Sequence, residues 1–195
     1  MTSPSASAPK LPAITVGLRP FSSYPPAVSA LLATVCALPG GDIRFKFALE
    51  GRLEALRLPV ADAPPSGPLW QHTCFEAFIS TPDAENYREY NFSTAGQWAA
   101  YEFLHYREMG HPLGEEPPAL LPVTSSLHEN RLTLVADVPS MLLPYSAVLR
   151  LGLSTVVERE DGNLEYWAVH HPAEYPDFHH ADGWTLLLDT QLVNQ

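Results

Sequence analysis

Residues 69–106 read LWQHTCFEAFISTPDAENYREYNFSTAGQWAAYEFLHY, and this stretch decides the fold. It divides into three consecutive strands. In 74–80, Phe75, Ala77 and Ile79 alternate with Cys74, Glu76 and Phe78, the two-residue period of a strand. Both sets are largely apolar, which predicts a central strand covered on both faces. Thr81-Pro82-Asp83-Ala84 predicts a turn. In 87–93, Tyr90 and Phe92 are expected to face inward and Glu89, Asn91 and Ser93 the other way. Ala95-Gly96 turns the chain into a third strand, 98–105.

Upstream, 13–18 predicts a short strand closed by Arg19-Pro20. Segment 28–38 fits a helical stripe through Val28, Leu31, Leu32 and Val35, but Pro39-Gly40-Gly41 followed by an alternating segment favours a strand and hairpin. In 43–50, Ile43, Phe45, Phe47 and Leu49 oppose Arg44, Lys46, Ala48 and Glu50, a strand buried on one face. Residues 53–58 predict one more strand, and the Pro-rich 61–68 a loop.

Downstream, 106–118 reads as a long loop, a lid or rim. Segments 119–125 and 131–138 form a hairpin about Glu129-Asn130, and 139–144 a connection. In 147–157, Leu149, Leu151, Leu153, Thr155 and Val157 oppose Arg150, Gly152 and Ser154. Asp161-Gly162 signals a hairpin turn, 164–171 returns, 172–183 is a second long loop, and 184–189 is the closing strand. About ten short strands with little helix imply an all-β, antiparallel β-sandwich. Residues 1–11 are expected to be a disordered or extended tail and 12–195 a single sandwich domain.

The net charge is −11, from 11 Lys and Arg against 22 Asp and Glu. A surface of that sign repels phosphate backbones and anionic lipid, so nucleic acid and membrane are poor partners. No apolar run approaches the ~18 residues that span a bilayer. The first residues carry no apolar signal core, and Cys36 and Cys74 form neither a CxxC pair nor a metal spacing. Reduced thiols and a cytoplasmic location are the expectation. Oligomeric state is left open.

Several separated motifs agree in order with one family. Trp70 precedes a strand carrying Phe75-Glu76. Tyr90-Asn91-Phe92 and Gly96 follow, and then an amphipathic strand from Leu132 to Pro139. Tyr166-Trp167-Ala168 and Pro176-Asp177-Phe178-His179 complete the set. Together, over roughly residues 40–189, they resemble the DOMON-like and family 9 carbohydrate-binding-module-like β-sandwiches, in a bacterial cytoplasmic branch. The resemblance implies a ligand-binding sandwich. Relatives hold sugars between aromatic rings, or haem through Met and His.

Glu76 is the sharpest candidate. A carboxylate among Phe75, Ala77 and Phe78 costs several kcal/mol if left dry and unpaired. It either faces a ligand or pairs with Arg44, Lys46 or Arg150. Trp70, Trp98 and Trp167 could stack on a planar ligand or be core aromatics. Asn91 and Ser93 share the parity of Glu76 and suit hydroxyl groups, or face solvent. His170, His171, His179 and His180 lack metal-ligand spacing, since adjacent residues in a strand face opposite ways; one of them closing a pocket is the better reading. Met109 and His111 lie in the expected loop, whereas haem wants fixed axial donors. Cys74, mid-strand in apolar company, reads as an inert thiol.

The sequence thus predicts a non-catalytic module. It would bind a sugar-like or other polar or amphipathic metabolite on the concave sheet, through Arg44, Trp70, Glu76, Asn91, Trp98, Arg150, Trp167, His171 and His179. No metal is expected, and the cofactor is left unknown, with haem the one named. The alternatives are an enzyme using Glu76 with His171 or His179 as general acid and base, and a structural or protein-interaction sandwich.

Overall fold

The computed structural model describes residues 13–21, 25–60, 68–113 and 121–191. These form two antiparallel sheets packed face to face. The five-stranded sheet has the order β1 (Ala13–Gly17), β3 (Val28–Ala37), β4 (Ile43–Gly51), β10 (Arg131–Val138), β9 (Val123–His128). The eight-stranded sheet runs β2 (Arg19–Pro20), β12 (Leu164–Ala168), β11 (Val148–Glu158), β5 (Cys74–Ser80), β6 (Tyr87–Phe92), β7 (Trp98–His105), β8 (Glu108–Leu113). Its eighth strand, β13 (Leu186–Asp189), also pairs with β11. The architecture is an all-β sandwich, as the alternation of residues 43–50, 74–80 and 147–157 predicts.

One side of each strand builds the core. Val35, Phe45, Phe47, Leu132 and Leu134 meet Phe75, Ile79, Tyr90, Phe92, Leu151 and Leu153. Phe47 lies against Phe75 with ring centroids 5.2 Å apart. Every residue of β5 is buried. Its second face is covered too, and that cover makes the site.

The cover comes from an unusual edge. β12 pairs with the C-terminal half of β11, Ser154 to Glu158, and β13 with its N-terminal half, Val148 to Leu151. Residues 169–185 leave the sheet between the two. Trp184 seats against Gly152, where an added Cβ would lie 2.1 Å from the indole Cδ1. Arg150 pins the same segment, donating from Nε to the Trp184 carbonyl (3.0 Å) and from Nη2 to the Ala181 carbonyl (2.6 Å).

Four expectations are corrected. Residues 53–58 make no strand. Leu53–Ala55 is a 3-10 turn followed by a lone bridge from Leu56 to Arg159, because both edges of β4 are already taken by β3 and β10. The expected loop at 106–118 contains β8. Arg107 adopts φ +56°, and the chain folds back along β7 at once, His105 opposite Glu108. Trp184 precedes the closing strand instead of starting it. There are thirteen strands among the described residues, more than about ten. The proposed tail at 1–11, nearly all of 61–68 and residues 114–120 lie outside the described residues. Among the described residues no helix is long and apolar enough to cross a membrane.

Candidate functional site

The outer face of the eight-stranded sheet can be read in cross-strand rows. One row is Ser154, Glu76, Asn91, Ala99; the next is Gly152, Phe78, Glu89, Tyr101. Glu76 and Glu89 are therefore diagonal neighbours on adjacent strands, within reach of each other's field. Both are buried, at 3% and 5% exposure. They line a groove of about 680 Å³, in the size range of small-ligand sites. Trp70 and Gln71 form one wall; Tyr166, Phe178 and His179 rise on another side; Tyr101, Phe103, Arg107 and Met109 extend the floor.

Among the described residues Glu76 accepts a single long hydrogen bond, from Ser154 Oγ at 3.4 Å. Burial, and next the Glu89 charge, push its carboxyl well above the usual range. Burial also raises Glu89. The Asn91 amide and the Arg107 charge oppose that rise. Asn91 is fully buried beneath the groove. It donates from Nδ2 to Glu89 Oε1 (2.7 Å) and accepts from the Cys74 thiol (3.4 Å). Cys74 is held protonated, first by burial and then by the two acids.

His179 joins the groove from the 169–185 excursion. The Arg107 amide donates to Tyr87 Oη (3.1 Å), which is also hydrogen-bonded to His179 Nδ1 (2.7 Å). Burial, then the Arg107 charge, lower His179 to about 4. The imidazole is thus neutral at pH 7, and its Nε2 faces Glu89 Oε2 at 3.7 Å. Phe78 and Phe103 pack edge-on against the ring, centroids 5.1 and 5.0 Å away. Asp177, with a fully buried side chain, accepts from Arg107 Nη2 (2.9 Å) and Tyr106 Oη (2.7 Å) and so ties the excursion to the β7–β8 turn.

Of the nine residues expected at the site, Trp70, Glu76 and His179 line the groove. Asn91 and Arg150 support it from below and from the side. Four are elsewhere. Arg44 lies on the outer face of the five-stranded sheet, paired with Asp137 at 2.6 Å. Trp167 is 3% exposed and belongs to the core, opposite inward-facing Thr155. Trp98 packs against the same core, opposite Phe92. His171 Nε2 meets the Arg19 carbonyl at 2.9 Å. The alternative pairing of Glu76 with Arg44, Lys46 or Arg150 is not found, nor, among the described residues, is a hydrogen bond between Glu76 and a histidine; the His179 imidazole lies near Glu89 instead. Tyr101 and Arg107 are groove residues without a sequence signal of their own, and Tyr166 and Phe178 stood in the quoted motifs without being assigned to the site; the roles of all four depend on which segments become neighbours.

The four histidines diverge. His180 Nδ1 accepts from the Asp182 amide and His170 is exposed. Among the described residues no group of three His, Cys, Asp or Glu side chains could hold a metal ion. The groove does not fit haem. His179 is wedged between rings with one nitrogen held by Tyr87 and the other turned to Glu89. Met109 is half-exposed on the edge strand β8, so among the described residues no two rigid axial donors face each other across the groove.

No protein-family model matches the chain, and no curated protein matches it. The sandwich nevertheless has solved counterparts. A candidate carbohydrate-binding protein from Bacteroides uniformis superposes with a TM-score of 0.68 at 16% identity, over 92% of this chain and 86% of that one. A family 9 carbohydrate-binding module from Caldicellulosiruptor kristjanssonii, in complex with cellotriose, gives a TM-score of 0.47 at 10% identity, over 85% and 79%. A family 9 module from the same organism with glucose gives 0.47 at 9%, over 84% and 80%. The Bacteroides likeness shows a shared β-sandwich fold.

Proposed function

We propose that this chain is a non-catalytic module that binds a small sugar-like ligand in the groove on the outer face of the eight-stranded sheet. The observation that carries the reading is the lining itself. Half-exposed Trp70 (48%) stands with Tyr101, Tyr166 and Phe178 around two buried carboxylates. Flat apolar surfaces beside a few fixed acceptors are what a ring with hydroxyl donors on its rim requires. The shared fold with a candidate carbohydrate-binding protein supports the same reading. So do the sequence motifs that resemble DOMON-like sandwiches.

In this reading Trp70 stacks on the ligand, Glu76 and Glu89 accept hydrogen bonds, and Asn91 and His179 hold Glu89 in place. The binding unit is one sandwich domain within residues 12–195. Free Cys36 and Cys74 suit a reducing compartment, and so a cytoplasmic protein. The acidic surface disfavours nucleic acid and anionic membrane as partners.

The test is a panel of neutral and amino monosaccharides and disaccharides, read by isothermal calorimetry and by indole fluorescence. At least one sugar is expected to bind, and Trp70→Ala to weaken it about tenfold or more, a stacking loss of ~1–2 kcal/mol. No binding across the panel, or binding that Trp70→Ala leaves untouched, overturns the reading.

A further inference from the structure

Most buried carboxylates in proteins have a cation or several donors beside them. Glu76 does not. It is 3% exposed and lines the groove. Its Oε2 receives one long hydroxyl contact, and its Oε1 has no hydrogen-bond partner among the described residues. The charge that acts on it is that of a second acid, Glu89, which has the neutral His179 Nε2 at 3.7 Å. The one arginine of the groove, Arg107, is already matched by the fully buried Asp177 at 2.9 Å. Its charge reaches Glu89 from a distance, but among the described residues no cation is paired with Glu76 on the groove floor, and none forms an ion pair with Glu89, which faces the neutral imidazole. The rings of Trp70, Tyr101, Tyr166 and Phe178 surround that floor, and aromatic faces attract cations.

We propose that the groove selects ligands that carry a primary ammonium group, and among sugars the amino sugars, with the ammonium placed between Glu76 and Glu89. This rests on the groove being the ligand site and names the chemistry of what fills it. An ammonium supplies three donors and one positive charge, which completes both carboxylates at once. A neutral hydroxyl can serve one of them and leaves the other unmatched.

Two matched pairs of probes separate this inference from the sugar reading: glucosamine against glucose, and benzylamine against benzyl alcohol. N-acetylglucosamine keeps the nitrogen and removes its charge. Binding is measured by calorimetry at neutral pH on the wild type, Glu76→Gln and Glu89→Gln. The expected result is a preference of roughly tenfold or more for each amine over its neutral mate, the difference a charge-assisted hydrogen bond makes. N-acetylglucosamine is expected to behave as glucose does, and the preference to collapse in Glu76→Gln. Glutamine matches glutamate in shape, so the variant keeps the groove intact. If benzylamine is preferred but no sugar binds, the ammonium inference stands and the sugar reading falls. If glucose binds as tightly as glucosamine, the inference falls and the sugar reading stands. A preference that survives in both variants overturns the inference, and no binding by any probe overturns both.

Discussion

Glu76 shows how one side chain can work against the fold and serve the site. Its folded carboxyl titrates above its ordinary value, so the folded state holds the proton more tightly than the unfolded chain. Stability from that difference is present at low pH and is lost as pH rises above about 4.5. Glu76→Gln is therefore expected to raise stability at neutral pH by about 1–3 kcal/mol. The gain should vanish as pH falls towards the normal carboxylate range, and urea unfolding at a series of pH values measures it. His179 has the opposite sign. Its pKa is lowered to about 4, so stability present above pH ~6.5 is lost on acidification between about 6.5 and 4, by on the order of 3 kcal/mol. His179→Gln should flatten that acid limb in the same titration. Glu76 was legible in sequence because a charge inside an apolar strand is an anomaly at one position. Its companion Glu89 was placed on the correct face, but its proximity to Glu76 depends on the β5–β6 register. Arg44 and Trp167 show the limit of parity. Alternation tells which side of a strand a residue occupies. It does not tell which of two sheets the strand joins, or which side is the core.

The 169–185 excursion and the β7–β8 hairpin form the rim. The excursion is anchored by Trp184 on Gly152, by Arg150, and by Asp177 on Arg107 and Tyr106. A Cβ at residue 152 and the indole cannot both be accommodated as they stand. Gly152→Ala is expected to dislodge Trp184, cost roughly 1–3 kcal/mol as overpacking does, and speed cleavage within 172–183 under limited proteolysis. Protease sensitivity equal to wild type would contradict the anchoring role. The loop at 172–183 was legible in the sequence as a stretch between two strands. β8 was not, because Gly110 and Pro112 resemble loop residues and nothing local signals that a free edge of β7 waits for a partner.

At the scale of the whole molecule, fold and site are built on opposite faces of the same sheet. Phe47 sits in the core between the layers and Trp70 at the groove. Phe47→Ala is expected to destabilise by about 3–5 kcal/mol. Trp70→Ala should leave the unfolding midpoint almost unchanged, since a half-exposed side chain on a short turn carries little packing. Urea denaturation of the two variants measures that separation. The sandwich was legible because three strongly alternating segments fix it. The groove was not, because it forms where chain segments far apart in sequence meet.

Because β12 and β13 share a single edge of β11, the backbone ladder closes at Ala168 and resumes at Leu186 whatever passes between them. The intervening stretch behaves as a cassette. Its chemistry can be exchanged where it makes no anchor, with Asp177, His179, the Arg150–Ala181 bond and the Gly152–Trp184 contact kept, and the same scaffold would then present a new recognition surface. That makes residues 172–176 the place to randomise in a library built to change what this protein binds.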